Sequence, residues 1–529
     1  MFIDGRTLAA GTQLSADVCI IGMGPAGITL ARALNPGGAK AHNVVCLESG
    51  GLEPDPGTQA LAKGDVTGLP YYPLESTRLR YFGGSSGHWG GYCRQFEPID
   101  LEARSWVPHS GWPMTHQQLA GYYPAAQQIC EISDCDYDPA SWQLTQAPPL
   151  PLWGDEVRTR LIQFSSPTRF GTRYRPDIAP ASELRVYLNS NVLSIDAAAN
   201  GGRVDGLSVG TLAGNRFRVN ARLYVLAAGG IENARLLLAS NRVIPNGIGN
   251  EHDLVGRYFA EHMQLDSAAV FPLSNQTSFD LYAAESRHVP RTSICTSPIK
   301  ISVMGYLALS EQAQRAAKTL NYSANVQQTY WSDFFLHARQ PEQEEHSKLQ
   351  AAADALATIW NNLKQAGELA WQRLPGREAQ KFYKIITSQE QAPNPASRVA
   401  LADSRDAFGM PLARLHWQLN ELDRHTLTMS LQKVARALGG AHLGRLQQPS
   451  DFADGWPSYL RGSWHHCGTT RMSSSPTTGV VNADCRLHAV DNLYVAGSSV
   501  FPTNSHGNPT LTIVALALRL ADHLSLVLK

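Results

Sequence analysis

The sequence has no excess of charge of either sign. Its 529 residues contain 45 Lys and Arg against 45 Asp and Glu, so the formal net charge is zero at neutral pH. There is therefore no basic field that would attract nucleic acid or an anionic membrane, and no acidic tail. We expect a small-molecule partner and no nucleic-acid partner. The length and a hydrophobic content of 43% favour a globular protein of two or more domains.

Signals for targeting, membrane insertion and metal binding are also lacking. The first residues have neither the basic region nor the apolar core of a signal peptide, and no run approaches about 18 uninterrupted apolar residues. The eight cysteines are scattered and include no Cys-x-x-Cys pair, which argues against a zinc or iron–sulfur centre and suits a reducing compartment. We expect a cytoplasmic protein with no membrane segment and no metal site, in which most cysteines are buried thiols.

A glycine-rich turn lies between an apolar strand and a helix near the N-terminus. Gly22, Gly24 and Gly27 form a GxGxxG pattern after the strand-like residues 16–21. The glycines permit a tight turn, close approach of a pyrophosphate and packing of helix on strand. Glu48 ends the next apolar strand, about twenty residues further on, where a carboxylate accepts from the ribose hydroxyls and repels a 2′-phosphate. The context predicts a dinucleotide site and disfavours NADP, but it does not separate NAD from FAD.

Two further glycine-rich turns follow. The first has five glycines in the nine residues from Gly83 to Gly91 and includes His88 and Trp89. Such a loop is either a surface turn or a place where backbone approaches a bulky ligand closely, and the tryptophan favours the ligand. The second is Ala228-Gly229-Gly230, which follows a buried strand and precedes a helix over residues 234–239, so the nucleotide domain resumes there.

The rest of the chain is predicted at lower detail. Residues 184–195 alternate as one strand, residues 206–209 and 216–219 suggest a hairpin, residues 299–303 and 412–417 are strand-like, and a long helix is predicted from Glu344 to Arg373. We predict a discontinuous nucleotide-binding domain that comprises residues 1–100, 180–262 and 455–529. Residues 101–179 are predicted to be a connecting and covering segment. Residues 263–454 are predicted to form a substrate-binding domain.

The last part of the chain sets two histidines beside a glycine turn and ends in an apolar helix. His465 and His466 precede Cys467-Gly468, and the final helix is predicted from Thr510 to Leu526. Pro509 suits the first helical position, which makes Asn508 the predicted N-cap.

Together, the GxGxxG turn, the Gly-Gly-Ser-Ser-Gly-His-Trp loop, the Ala-Ala-Gly-Gly turn and the segments around His465 and Asn508 resemble the glucose–methanol–choline (GMC) flavin oxidoreductases. The matching segments spread from residue 17 to residue 523, and the C-terminal ones are similar to those of pyranose oxidases. The resemblance implies an α/β (α+β) fold, in which a Rossmann-like domain binds FAD beside a substrate domain with a six-stranded antiparallel sheet. Cofactor contacts are expected from Gly22, Gly24, Gly27, Glu48, Gly83, Gly84, Ser85, His88, Trp89, Val192, Ala228, Gly229, Gly497, Pro509 and Thr510.

The resemblance also assigns roles to individual side chains. His465 matches the active-site histidine and Asn508 its partner, which holds and polarises the substrate oxygen. Because we also expect Asn508 to cap the last helix, its oxygen would cap while its amide group serves the substrate. His88 falls where some members hold the flavin covalently, although Gly87 replaces the small hydroxyl residue expected before it.

The resulting functional hypothesis is an FAD-dependent oxidoreductase that oxidises a CH–OH group of a sugar, glycoside or other polyol or alcohol. His465 would take the hydroxyl proton while hydride passes to flavin N5, and oxygen or a quinone would be the final acceptor. His466 either supports the site or is itself the base, and His506 either guards the pocket or faces solvent. The alternatives are a flavin-containing lyase without net redox chemistry and a non-catalytic FAD-binding scaffold. Substrate identity and oligomeric state are not predicted.

Overall fold

The computed structural model describes residues 1–36, 41–165, 168–181, 183–274, 276–295, 298–329, 382–448, 455–457 and 459–529. The predicted helix from Glu344 to Arg373 lies outside these residues. The strands are β1 (Phe2–Asp4), β2 (Gln13–Ile21), β3 (Val44–Leu47), β4 (Gly64–Gly68), β5 (Tyr92–Cys93), β6 (Val157–Phe164), β7 (Leu184–Leu188), β8 (Asn191–Ala197), β9 (Val204–Gly210), β10 (Arg216–Leu226), β11 (His262–Pro272), β12 (Pro290–Thr292), β13 (Lys300–Leu309), β14 (Tyr322–Thr329), β15 (Phe382–Glu390), β16 (Arg398–Arg405), β17 (Pro411–Trp417), β18 (Gly444–Gln447) and β19 (Leu493–Val495). The α-helices are α1 (Pro25–Leu34), α2 (Pro56–Ala60), α3 (Pro98–Leu101), α4 (His116–Ala120), α5 (Tyr123–Ile129), α6 (Phe170–Ile178), α7 (Gly230–Ala239), α8 (Glu311–Ala317), α9 (Glu421–Gly440) and α10 (Thr510–Val527).

The first sheet forms the Rossmann-like domain. Its strand order is β1-β7-β3-β2-β10-β9-β8, with β19 paired to β10, and the strands from β1 to β10 in this order, together with β19, are parallel. β3 and β19 are buried throughout, as expected for strands covered on both faces. Ile21 pairs with both Leu47 and Leu226, and Leu226 pairs with Val495. The carboxyl ends of four strands therefore meet at one edge, which brings the glycine turns that follow them together.

The second sheet is antiparallel, and most of its strands come from the segment predicted to bind substrate. Its order is β18-β11-β15-β14-β13-β6-β5, with β12 paired to β13. The α/β class with an antiparallel second sheet is thus confirmed, but the count of six strands is wrong, since the described residues give this sheet eight. Short edge strands β5, β12 and β18 extend it. β6 comes from the segment predicted to be only connecting and covering, so that segment also builds the sheet. A third, small sheet has the order β16-β17-β4.

One predicted strand proves to be two. Residues 184–195 were expected to form one alternating strand, but β7 ends at Leu188 and β8 begins at Asn191. Asn189 between them has φ +54, the left-handed conformation that asparagine tolerates better than most residues. The turn lets β7 pair with β1 and β3 while β8 pairs with β9. The predicted hairpin is confirmed, because Arg216 of β10 lies opposite Gly210 of β9.

The cysteines differ from the expectation drawn from their spacing. Cys135 and Cys295 form a disulfide across 160 residues, whereas the other six are free and buried. Disulfides are typical of oxidising compartments, so the cysteines no longer support a cytoplasmic location, and the location stays a prediction.

The C-terminal helix α10 is apolar because it is a core helix. Among the described residues it is the one helix whose length and composition would suffice to cross a membrane. Half of that stretch is buried, and α10 packs against α1 and α5. Burial inside the domain therefore accounts for its composition.

Candidate active site

A cavity of about 450 Å³ lies at the edge where the parallel strands end. Most residues predicted to contact the cofactor line it, and so do both histidines and the asparagine predicted to act on substrate. The lining set contains Gly22, Gly24, Glu48, Gly84, Ser85, His88, Trp89, Val192, Ala228, Gly229, Gly497, His465, His466, Asn508, Pro509 and Thr510. Gly27 and Gly83 do not line it. One cavity thus connects the nucleotide turn at residue 22 with the C-terminal histidines.

The first glycine turn is shaped by close backbone contacts. The N–H of Gly22 donates to the carbonyl of Leu47 at 2.8 Å, and Gly22 has φ +97. A Cβ at Gly27 would lie 2.0 Å from the carbonyl oxygen of Gly22, so Gly27 allows α1 to approach the strand end. A Cβ at Gly24 would meet nothing within 4 Å. Gly24 thus borders open space in the cavity, which is the cradle that a pyrophosphate requires.

Glu48 is buried beside this turn and fixes its shape. One carboxylate oxygen accepts the N–H of Met23 at 3.0 Å, and the other accepts the N–H of Gly50 at 2.9 Å. The sequence predicted Glu48 only as a partner of the ribose. In the structure it is also a brace between two neighbouring turns. Its place in the cavity lining is consistent with both roles.

The second glycine loop docks on the first. The N–H of Gly83 donates to the carbonyl of Met23 at 2.8 Å, and the indole N–H of Trp89 donates to the carbonyl of Thr168 at 2.9 Å. A Cβ at Gly87 would lie 1.6 Å from the hydroxyl oxygen of Tyr81. This contact explains why glycine stands where a small hydroxyl residue was expected.

His88 faces the cavity from this second loop. Its ring stacks on Trp464, with 5.0 Å between the ring centroids, and burial lowers its pKa, with a smaller contribution from Arg169. The stack holds the His88 side chain at the lining. Covalent attachment of a flavin to His88 stays a prediction.

Two guanidinium groups, those of Arg78 and Arg80, line the cavity together with the carboxylates of Glu48 and Glu232. Arg78 and Arg80 share the single carboxylate of Glu232, at 3.5 and 3.3 Å. Burial lowers the pKa of Arg78 to about 10, so the side chain is charged at neutral pH. Within the described residues, Nε and Nη1 of Arg78 and Nε of Arg80 have no hydrogen-bond partner. Cavity-lining guanidinium groups suit a ligand with phosphate oxygens, and together with the glycine cradle they fit the ADP half of FAD.

His465 is held at both ring nitrogens. Its Nδ1 lies 2.7 Å from Nδ1 of His262, and its Nε2 lies 3.1 Å from the side-chain nitrogen of Asn508. An amide NH₂ donates and does not accept, so Nε2 of His465 carries a lone pair in this arrangement. Burial lowers the pKa of His465 well below its ordinary value, and His262 and His466 lower it further. The ring is therefore neutral at neutral pH, as a general base requires.

His466 has a different set of partners. Its Nε2 lies 3.0 Å from the hydroxyl oxygen of Tyr71, and Tyr71 donates to the buried carboxyl of Glu261. A tyrosine that donates to a carboxylate can accept only from His466, which places a proton on that Nε2. Burial, with smaller contributions from Arg78 and His88, lowers the pKa of His466 to about 3. Of the two histidines, His465 therefore has the better placed lone pair.

Glu261 ties both histidines to the start of β11. One oxygen accepts the backbone N–H groups of Ser463 at 3.1 Å and His465 at 2.9 Å. Burial raises the pKa of Glu261 to about 7, and the hydrogen bonds from Tyr71 and the backbone oppose the rise. The loop that carries the histidines is thus fixed by the residue that immediately precedes β11.

The predicted cap of the last helix is wrong. Pro509, not Asn508, occupies the N-cap position of α10, and no side chain caps there. Asn508 lies one residue outside, because the first helical hydrogen bond runs from the N–H of Ile513 to the carbonyl of Pro509. Its amide is directed to His465 instead. The dual demand on Asn508 therefore does not arise, since its oxygen has no capping role.

Other side chains near the site were not found from sequence. Tyr71, Glu261 and His262 lack any local motif, and only the pairing of distant segments brings them to residues 463–466. Trp464 could have been predicted to lie near the site, since it immediately precedes His465 in the sequence. It has φ +61, an unusual conformation for a bulky residue, and is 40% exposed at the cavity. His506 is buried and bonded to Tyr306 at 3.0 Å, and it is not part of the lining.

The glycine cradle suits an ADP group and does not by itself distinguish NAD from FAD. Residues 393–517 match the family model described as GMC oxidoreductase, and together with the names of the relatives this supports an FAD-dependent oxidoreductase. Two relatives are similar to the chain over nearly its full length. It is 24% identical to 2-methyl-1,2-propanediol dehydrogenase of Mycolicibacterium austroafricanum, over 96% of this chain and 95% of that one. It is also 24% identical to the fructose dehydrogenase large subunit of Gluconobacter japonicus, over 96% and 97%.

The fold agrees with a solved structure as well. Formate oxidase superimposes with a TM-score of 0.56 at 16% identity, over 98% of this chain and 99% of that chain. At this identity the likeness concerns the fold alone.

Proposed function

We propose that the protein oxidises a CH–OH group of a sugar, glycoside or other polyol or alcohol, with His465 as the base that takes the hydroxyl proton. The observation that carries the proposal is the lone pair of His465 Nε2, which faces the cavity beside the side-chain amide of Asn508 at 3.1 Å. Bound FAD would supply the hydride acceptor, its N5 atom. Gly22, Gly24, Glu48 and the guanidinium groups of Arg78 and Arg80 would hold it.

The residues divide the work on the substrate alcohol. An alcohol oxygen that enters between His465 and Asn508 would give its proton to His465 Nε2 and accept the amide N–H of Asn508. The burial of His465 keeps the ring neutral before the reaction. Pro509 and Thr510 bring the N-terminus of α10 to the cavity, and its partial positive charge would stabilise negative charge on the reduced cofactor.

The substrate class rests on the relatives as well as the site. A diol and a ketose are named in the two full-length relatives, and both present CH–OH groups. Both relatives are named as dehydrogenases, and this does not favour the alternative functions of a flavin-containing lyase or a non-catalytic FAD-binding scaffold. Whether oxygen or a quinone is the final acceptor is decided by offering each to the reduced enzyme.

The test is anaerobic addition of a sugar and alcohol panel to purified holoenzyme, with absorbance followed near 450 nm. Bleaching by a CH–OH substrate is expected, and acid precipitation shows whether flavin stays with the protein through His88. The variant His465→Ala should keep its flavin but bleach roughly 10²- to 10⁴-fold more slowly. His252→Ala, at an exposed position away from the cavity, is the matched control.

Asn508→Asp tests the donor. This substitution retains the side-chain shape but removes the NH₂ group, so bleaching should slow while flavin content is kept. Product formation from an unbleached flavin would mean lyase chemistry, and wild-type bleaching in His465→Ala would refute the assigned base.

A further inference from the structure

His262 is in direct contact with the proposed base but outside the cavity lining. It is the first residue of β11 and is buried. Its Nδ1 lies 2.7 Å from Nδ1 of His465, and its Nε2 lies 2.9 Å from the backbone carbonyl of Asn504. The two imidazole rings meet edge to face, with 4.8 Å between centroids. His262 therefore links the base to the backbone of the loop that precedes Asn508.

The hydrogen atoms in this chain of contacts can be assigned from one end. A carbonyl only accepts, so His262 must donate from Nε2 to Asn504. Burial lowers the pKa of His262, so the ring is neutral and its Nδ1 has a lone pair. His465 must then donate from Nδ1 to His262. Its remaining nitrogen, Nε2, is left without a proton and faces Asn508, in agreement with the amide donor found there.

The carbonyl that anchors this chain is itself fixed. The side-chain nitrogen of Asn504 donates to the carbonyl of Glu261 at 2.9 Å. Glu261 also holds the backbone of His465. Neither ring can rotate without breaking one of these bonds, because each of its two nitrogens is engaged.

We propose that His262 is a positioning residue that fixes the tautomer of His465, keeping the proton on Nδ1 and the lone pair on Nε2 at the substrate. The inference rests on the proposed function, in which His465 is the base. The bond also matters after proton transfer. Once His465 has taken the substrate proton it is a cation, and its Nδ1–H then forms a charge-assisted hydrogen bond to His262. His262 thus supports both protonation states without contact with substrate.

Two substitutions of His262 separate the effect of losing the hydrogen-bond acceptor for His465 from the effect of losing the imidazole ring. In His262→Asn the side-chain oxygen is attached at the same γ position as Nδ1 and can still accept from His465, whereas His262→Leu has no acceptor. Both variants lose the bond to Asn504. With saturating substrate, the anaerobic bleaching rate of His262→Leu should fall by about 10- to 100-fold, the range seen when the partner that orients a histidine ligand is removed. KM and flavin content should change little, and His262→Asn should recover most of the rate.

A second measurement needs no variant of His262. In holoenzyme with ¹⁵N-labelled histidine, the signals of His465 are those that disappear in His465→Ala. Their shifts should show a protonated Nδ1 and an unprotonated Nε2, and a protonated Nε2 at neutral pH would overturn the inference even if His262→Leu failed to fold. Equal losses of rate in His262→Asn and His262→Leu, or a wild-type rate in the latter, would also overturn it. If His465→Ala is slow while His262→Leu is normal, the inference alone fails. A normal rate in His465→Ala would instead remove the proposed base.

Discussion

A single methyl group can test whether the cavity at the first glycine turn is the pyrophosphate cradle. Gly24 and Gly27 are three residues apart, but their surroundings are opposite. A Cβ at Gly24 meets nothing within 4 Å, whereas a Cβ at Gly27 lies 2.0 Å from the carbonyl oxygen of Gly22. Gly24→Ala should therefore affect the ligand, and Gly27→Ala should affect the fold.

The magnitudes follow from these contacts. Gly24 has φ −79 and ψ −167, which alanine adopts without strain, so the stability of the apoprotein should be unchanged or rise by about 0.4–1 kcal/mol. A methyl group in the space of a close-packed ligand costs about 1–3 kcal/mol, which corresponds to roughly 5- to 150-fold in the dissociation constant of FAD. At Gly27 a similar overpacking cost falls on the protein itself, reduced by about 0.5–1 kcal/mol of helix propensity. The apoprotein of Gly27→Ala should therefore melt earlier.

The assay combines thermal melting of the apoproteins with FAD titration followed by flavin fluorescence. Gly121→Ala is the matched control, because its φ is −61, its Cβ would also meet nothing within 4 Å, and it does not line the cavity. This control should bind FAD as the wild type does. Wild-type affinity in Gly24→Ala would refute the assignment of the cradle, and an unchanged melting temperature in Gly27→Ala would refute the steric reading of that contact.

Two further predictions concern pH and the cysteines. Because the base must be unprotonated and its surroundings lower the pKa of His465 below the ordinary 6.5, the bleaching rate should stay level as pH falls to 6.5 and decline only below it. Stopped-flow reduction across pH 5–9 checks this, and a midpoint at or above 6.5 would contradict it. A thiol assay in denaturant should count six thiols without reductant and all eight cysteines after reduction. A count of eight thiols without reductant would rule out the disulfide. The substitution Cys295→Ser should leave Cys135 as a free thiol.

Local patterns predicted the parts of the site that local physics determines. The turn at Gly22 and the carboxylate of Glu48 follow from strand, turn and helix signals within about thirty residues. The turn at Gly229 was placed in the same domain because it follows a buried strand, whereas Gly497 was expected at the cofactor only from the family resemblance. The same reasoning failed where a side chain could make either a local or a tertiary hydrogen bond. Asn508 was a good N-cap candidate, yet a tertiary contact with His465 uses its side chain and α10 begins without a side-chain cap.

Pairings across long separations carried no sequence signal. Cys135 and Cys295 are 160 residues apart, and eight scattered cysteines permit many pairings. The break of the predicted strand at Asn189 depends on one residue in the left-handed conformation, and the alternating pattern continues through it. In each case the deciding interaction lies in the packing of separate segments.

The contact between β11 and the histidine loop shows why such residues matter most at the site. Glu261 immediately precedes β11, and His262 is the first residue of that strand. Glu261 holds the backbone of His465, and His262 holds its ring. A base needs both its position and its tautomer fixed, and His262 acts on the tautomer at Nδ1 as the amide of Asn508 does at Nε2. Glu261 and His262, where the chain enters β11, would thus supply partners that make a buried, neutral histidine usable as the proposed base.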